Sequence, residues 1–470
     1  MKLSRRSFIG SGTAAAAVAA MAAGAGEDRP ELRFGLISDA HFSRRKGTAD
    51  KRFRVALEWF RSKNVDAVVC TGDLTNCGMR TELENLASVW KDVFPDDCMP
   101  DGRRIEKVFL CGNHDTDPVM SQIAKRRGYE EEFRVSAIQN NSGKIWHDCF
   151  GEPFEPVFMK KVKGYAFIAA HWADSGSPAA APAFIEAHRA ELEGERPFFY
   201  CQHAPIRGTV NPLMGHYDNG LIRKTLNKFP NAVAFSGHSH NALTDETSIW
   251  QGGFTAVGAG ALADSGRRYR CPWYENSDVP GAQAAYPGRK GSQMPVLHTE
   301  RDGAQGLLVE VYRDRIVFHR HSFSCGIANG SDWVVPLPVG QNKPYAIEPR
   351  KAVSVPPGFA ADAKITTQER DGFNREREAT RQLVVTFSAA KTGTRPLSYE
   401  IKVEPLASSG APVVKYVLSP DFHLPRSRSV ENVECVFALG ELPPGDRKIT
   451  VRAYDTFRNA GPALAWPYGA

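Results

Sequence analysis

Five times along this chain a short apolar run stops at a cluster of metal-binding residue types, and no other feature limits its fold as much. Leu36-Ile37 leads into Asp39-Ala40-His41, Val68-Val69-Cys70 into Gly72-Asp73, and Val108-Phe109-Leu110 into Gly112-Asn113-His114-Asp115. Further on, Phe198-Phe199-Tyr200 leads into Gln202-His203-Ala204-Pro205, and Val233-Ala234-Phe235 into Gly237-His238-Ser239-His240. Apolar runs of this length, bounded by Gly and polar residues, read as buried strands. The clusters then sit at strand C-terminal ends, where open α/β sheets place their sites. Taken singly, a Gly-Asp turn is an ordinary loop and a His before Ala-Pro a satisfied core histidine. Together, in this order, they point to metal-dependent hydrolysis.

Between the strands lie helical patterns at residues 51–61, 80–93, 181–193 and 220–229. Alternation of this kind predicts an α/β sheet with covering helices. After His240 the pattern turns to strands, at 254–257 and in a hairpin of 307–312 with 316–321. Residues 266–303 are punctuated by Gly and Pro and read as long loops near the site. A chain of 470 residues exceeds what a single core usually holds, so a second domain is expected. The Pro- and Gly-rich stretch 324–358 reads as a linker. Beyond it, alternating segments at 383–387, 399–403, 435–439 and 449–454 predict an all-β sandwich over 359–470. That region supplies no ligand, so a chain ending near Pro357 is expected to keep turnover.

On its five motifs, the stretch from Leu32 to His321 resembles the calcineurin-like metallophosphoesterase superfamily. The resemblance implies a four-layer α/β/β/α sandwich over residues 30–323. It also implies that Asp39, His41 and His240 hold one metal, that Asn113, His203 and His238 hold a second, and that Asp73 bridges both. Carboxylates, imidazoles and an amide oxygen suit two divalent or trivalent ions of Fe, Mn, Zn or Co rather than Mg or Ca. Such a pair generates hydroxide near neutral pH and offsets charge on a phosphoryl group. His238 and His240 are two apart on an extended segment, and Gly237 is expected to free the backbone for the bend that brings them together. His114 is not a ligand; by resemblance it protonates the leaving oxygen. Asp115 is expected to orient its ring, or to cap a helix over 118–126.

Motif variants narrow the branch. Phosphoprotein phosphatases of the superfamily usually carry Gly-Asp-x-x-Asp-Arg-Gly and Gly-Asn-His-Glu, whereas this chain has Gly72-Asp73-Leu74-Thr75-Asn76-Cys77-Gly78 and Gly-Asn-His-Asp. Purple acid phosphatases place a tyrosine where Asn76 stands here. With His41 present, the motifs resemble the phosphodiesterase-like branch, which implies a small-molecule phosphodiester or nucleotide-type substrate. Phosphomonoester hydrolysis is the alternative, and a non-catalytic surface-binding protein a more distant one.

Ser4-Arg5-Arg6-Ser7-Phe8-Ile9 resembles a twin-arginine export signal, followed by an apolar Ala-rich stretch and a small-residue cleavage site at Ala23-Gly24-Ala25. The stretch is shorter than the roughly 20 residues that span a bilayer. A leader over residues 1–25, passage through the twin-arginine export machinery and a periplasmic or otherwise exported protein are therefore expected. Net charge is +6, of which Lys2, Arg5 and Arg6 supply half. That is no signature of a nucleic-acid binder, and none is expected as partner. The piece 267–274 mixes Arg with aromatics and reads as a solvated loop. Nine cysteines show no metal-type spacing, and an odd number leaves at least one free unless it pairs between chains. Residues 451–461 resemble the closing strand of fibronectin type III-like modules, with a partner for that domain left open.

Overall fold

The computed structural model describes residues 29–116, 126, 142–172, 179–210, 218–263, 303–373, 378–406, 410–420 and 422–468. The export leader, the helix expected over 118–126 (Arg126 aside) and nearly all of the 266–303 insertion, with the Arg-rich piece inside it, lie outside the described residues.

Strands β1 (Leu32–Ile37), β2 (Ala67–Cys70) and β3 (Glu106–Phe109) are parallel neighbours. The second sheet begins with the hairpin β4 (Val157–Val162) and β5 (Tyr165–Ala170). It continues in parallel through β6 (Phe198–Cys201), β7 (Ala232–Ser236) and β9 (Thr255–Gly258), with β8 (Ile249–Gln251) antiparallel at its edge. The chain then returns to the first sheet. There β10 (Gln305–Val311) pairs antiparallel with β1, and β11 (Arg315–Ser322) pairs with β10.

The continuous apolar runs follow from burial on both faces, because successive side chains point to opposite sides of a sheet. In β2, Ala67 and Val69 face the other sheet, whereas Val68 and Cys70 face helices. In β7, Val233 and Phe235 face the first sheet, whereas Ala232 and Ala234 face outward to helices. Phe34 of β1 marks the inter-sheet core, edge-on to Phe167, Phe199 and Phe235 at 5.0–5.8 Å between ring centres. Outside the first sheet, α1 (Thr48–Ser62) buries Phe53, Ala56, Leu57 and Phe60, one stripe at helical spacing. Beside it, α2 (Arg80–Val93) buries Leu83, Leu86, Ala87 and Trp90. Outside the second sheet lie α3 (Ala180–Ala187) and α4 (Leu221–Leu226), through Ile185, Ile222 and Leu226. This is the expected α/β/β/α order. The helix expected over 181–193 is interrupted at His188, which leaves helical geometry (φ −100°, ψ 13°) before the short turn Arg189–Leu192.

The stretch expected to be a linker is more ordered than its composition suggests. Within it β12 (Ile327–Ala328) and β13 (Trp333–Pro336) both pair with β11. Trp333 and Val335 are buried in the inter-sheet core, so hydrophobic burial outweighs the Pro and Gly signals around them. After α5 (Ile347–Val353), seven antiparallel strands form two sheets among the described residues. In one, β14 (Ile365–Phe373), β15 (Ala379–Ser388) and β18 (Asn432–Ala438) pair. In the other, β16 (Ser398–Pro405) and β17 (Val413–Leu418) join β19 (Arg447–Tyr454) and β20 (Leu464–Tyr468). Leu383, Val385 and Phe437 from one sheet meet Tyr399, Ile401 and Val451 from the other in a shared core. No helix among the described residues is long and apolar enough to cross a membrane. The described cysteines are all free thiols.

Candidate metal centre

The loops after β1, β2, β3, β6 and β7 converge at one end of the two sheets, and the backbone ties them together. Asp39 N–H donates to Gly72 C=O at 2.9 Å, and His41 N–H to Asp73 C=O at 3.0 Å. His114 N–H donates to Asp73 Oδ1 at 2.9 Å, and His238 N–H to Asp39 Oδ2 at 3.1 Å. Each aspartate is thus held by a backbone donor from a different loop.

Six of the seven predicted ligands, all but Asn113, fall into two groups here. Asp39, His41, Asp73 and His240 bring ligand atoms within 4.8 Å of one another, and Asp73, His203 and His238 do so as a second group. Asp73 belongs to both groups. In the first, His240 Nε2 lies 3.2 Å from both Asp39 Oδ1 and His41 Nε2. In the second, His203 Nε2 lies 3.2 Å from both Asp73 Oδ1 and His238 Nδ1.

The donor set fits a pair of cations. His203 Nδ1–H donates to Thr71 C=O at 2.8 Å, and His240 Nδ1–H to Ala263 C=O at 2.7 Å. With those protons fixed on Nδ1, both rings direct their Nε2 atoms inward, the orientation of metal-ligating histidines, and Nε2 can coordinate once it gives up any proton it carries. Asn113 Oδ1 is buried and has no hydrogen-bond partner among the described residues, an arrangement that calls for a ligand. Burial pushes the His41 and His238 rings down to about 3, so both are neutral and able to coordinate. Burial would raise the Asp73 carboxyl, but the His203, His114 and His41 rings outweigh it and hold it well below the carboxylate range. For His203 burial is outweighed by the adjoining Asp73 charge, which lifts the ring to about 9.

Backbone conformation sets these side chains apart. Asp39, His41, Asp73, His238 and His240 all have φ between 49° and 64°, a left-handed region that non-glycine residues rarely adopt. The expected role of Gly237 is corrected here: the bend lies in His238 and His240 themselves. Gly237 is required for space, since a Cβ there would stand 1.8 Å from Ser38 Oγ and 2.7 Å from Asp39 Oδ2.

Asp115 also departs from expectation. Its carboxylate accepts from Leu74 N–H (3.1 Å), Thr75 N–H (2.8 Å), Thr75 Oγ1 (2.6 Å) and Gly112 N–H (2.7 Å). It fastens the Asp73 loop to the Asn113 loop rather than touching the His114 ring. Burial and the Asp73 charge raise its pKa to about 6 against those hydrogen bonds. The His114 ring is held by Asn76, whose carbonyl accepts from Nδ1–H at 2.8 Å, which leaves Nε2 4.0 Å from Asp73 Oδ2. A nearby carbonyl satisfies the ring, and the carboxylate is drawn to three backbone donors instead.

A further strand end reaches the site unforeseen. His171-Trp172 follows the apolar run of β5, the same signal that marks the other loops. Trp172 packs on the His203 and His238 rings, with centres 5.7 and 5.6 Å apart. His171 Nδ1 accepts from Cys111 N–H at 2.9 Å, behind the Asn113 loop.

One carboxylate shared by two imidazole-rich groups at the ends of parallel strands could hold a pair of metal ions, as in dinuclear metal hydrolases. Residues 32–242 match the family model described as Calcineurin-like phosphoesterase, so this part of the chain is a metallophosphoesterase domain of a metal-dependent phosphoesterase. No curated protein sequence matches the chain. Among solved structures, it is similar to a dimetal phosphatase from Danio rerio, with 12% identity and a TM-score of 0.38 over 65% of this chain and 99% of that one. It is also similar to GAP50, the anchor in the inner membrane complex of Plasmodium, with 13% identity and a TM-score of 0.36 over 67% and 90% of the two chains. Likeness at these scores adds nothing to the reading of the site.

Proposed function

We propose that the chain is an exported dinuclear-metal phosphoesterase acting on phosphodiester or nucleotide-type substrates. One observation carries the reading: the His114 ring faces Asp73, the residue common to both ligand groups, yet belongs to neither group. A purely structural metal centre has no use for such a proton-carrying group.

Asp39, His41 and His240 with Asp73 would hold one ion, and Asn113, His203 and His238 with Asp73 the other, each Fe, Mn, Zn or Co. When bound, the pair would acidify a water and offset phosphoryl charge. The protein's own step is proton delivery. The Asn76 carbonyl accepts from Nδ1–H and fixes the His114 ring, so that Nε2 is the atom that would pass a proton to the departing oxygen.

Export rests on the Arg5-Arg6 leader, and a fibronectin type III-like assignment of the last domain on its two antiparallel sheets around one core. Turnover of bis(p-nitrophenyl) phosphate, p-nitrophenyl phosphate and a nucleotide panel by the metal-loaded protein tests the reaction. Faster cleavage of the monoester would make the chain a phosphomonoesterase. No turnover with both metals bound would leave a binding protein. For export, Arg5→Lys with Arg6→Lys should hold the protein in the cytoplasm; its arrival outside would refute the leader.

A further inference from the structure

The last domain supplies no ligand, yet it reaches the turn that carries His240. Just beyond β17, Phe422 and His423 are 3% and 1% exposed, and their carbonyls point into the metallophosphoesterase domain. Thr244 Oγ1 donates to the Phe422 carbonyl. Gln305 Nε2 donates to the His423 carbonyl at 2.5 Å, and Asn329 Nδ2 donates to the same oxygen at 3.5 Å. All three donors are buried.

Gln305 is the connecting part. Its side-chain oxygen accepts from Leu243 N–H at 2.7 Å, three residues after His240. Its backbone N–H donates to Ala261 C=O at 2.8 Å. The segment starting there holds the first ligand group from behind. Leu262 N–H donates to Ser38 C=O, Ala263 N–H to Asp39 C=O, and the Ala263 carbonyl accepts from the His240 ring. One buried amide therefore spans from the sandwich loop to the backbone around Asp39 and His240. A second tie lies in α5, where Arg350 pairs with Glu246 at 2.9 Å and lies over the Phe457 ring at 5.1 Å.

We propose that the C-terminal sandwich is a positioning part of the first metal site, acting through Gln305 on the His240 turn. The proposal rests on the ligand assignment above but not on the substrate. It also runs against the expectation that a chain ending near Pro357 would keep turnover, because such a chain would lack both carbonyls that Thr244 and Gln305 meet. An amide suits the place because one end must accept and the other must donate.

Gln305→Glu keeps an acceptor for Leu243 N–H but sets a second oxygen against the His423 carbonyl. Thr244→Val removes the other donor with little change of shape. The full-length protein, stripped of metal, would be titrated with Co²⁺ and followed by visible absorption and calorimetry. His240→Ala and Asn113→Ala identify which binding event belongs to which group. Both test variants should weaken the event that His240→Ala abolishes, Gln305→Glu by about 10–100-fold as for other residues supporting metal ligands. The event that Asn113→Ala abolishes should stay within about threefold. Wild-type affinities at both sites in either folded variant would overturn the proposal. So would equal weakening of both, which marks general loosening. If Gln305→Glu does not fold, Thr244→Val decides the matter alone. Cobalt binding needs no turnover, so failure of the phosphoesterase reading would not be mistaken for failure here.

Discussion

His114→Ala separates proton delivery from metal binding, and the structure says why. The bond from His114 to Asp73 Oδ1 comes from the backbone N–H, which the substitution keeps. The ring contributes no ligand atom to either group. Both metals should therefore remain bound at wild-type stoichiometry. What disappears is Nε2, which in the native protein stands 4.0 Å from Asp73 Oδ2 with its ring fixed by Asn76. A general acid matters in proportion to the basicity of the leaving group, and such groups contribute about 10²–10⁴-fold. An alkoxide needs the proton, so an alkyl phosphodiester should lose about that much rate, equivalent to about 2.7–5.5 kcal/mol of barrier. p-Nitrophenolate departs without it, and its ester should lose less than about tenfold. Single-turnover rates on both esters, with metal content measured on the same samples, make the comparison. Equal losses on the two esters with metals retained would refute proton delivery and assign the ring to phosphate binding. Loss of metal would refute the ligand set.

Asp73→Ala should release bound metal and abolish activity nearly completely, since Asp73 serves both groups; wild-type stoichiometry by elemental analysis would refute the shared role. Asp115→Ala leaves the buried N–H groups of Leu74, Thr75 and Gly112 without their acceptor, at about 1–3 kcal/mol each. Denaturant unfolding of the metal-free variant should show a loss of several kcal/mol, and a loss below about 1 kcal/mol would show that water replaces the carboxylate. Far from the site, His319 lies between Asp332 and Glu310 at 2.9 and 3.0 Å, and those hydrogen bonds raise it to about 9. A raised pKa gives stability that is complete below the unfolded value near 6.5 and fades as pH rises through 9. With the His319 side chain a third exposed, the effect should stay below about 1 kcal/mol, a melting-temperature drop of a few degrees between pH 6.5 and 10 that His319→Gln abolishes. An unchanged slope in that variant would place the titration elsewhere.

The strands and the six Asp and His side chains of the two groups were legible because burial on both faces leaves an unbroken apolar run, and the polar residue that ends it marks the strand end. The same rule covers His171-Trp172, which was passed over because a histidine followed by tryptophan does not look like a ligand motif. Local sequence could not show the rest. Asp115 and the ring of His114 each take partners that arrive from the Asp73 loop, some forty residues earlier. The clamp at Gln305 joins residues more than a hundred positions apart through carbonyl groups, which every residue type carries. The short strands β12 and β13 lay among Pro and Gly signals, and only pairing with β11 reveals them.

Five of the ligands sit on left-handed backbone. Asp and His tolerate that region better than most residues, so a cost near 1 kcal/mol apiece is reasonable, about 5 kcal/mol together. Net stabilities of proteins are only about 5–15 kcal/mol, so these turns amount to a loaded spring within the domain. Cations that require this geometry would act as its latch. Anyone transplanting the centre to another scaffold would have to copy five wound turns and the framework that keeps them wound, because the same side chains on relaxed backbone would point elsewhere.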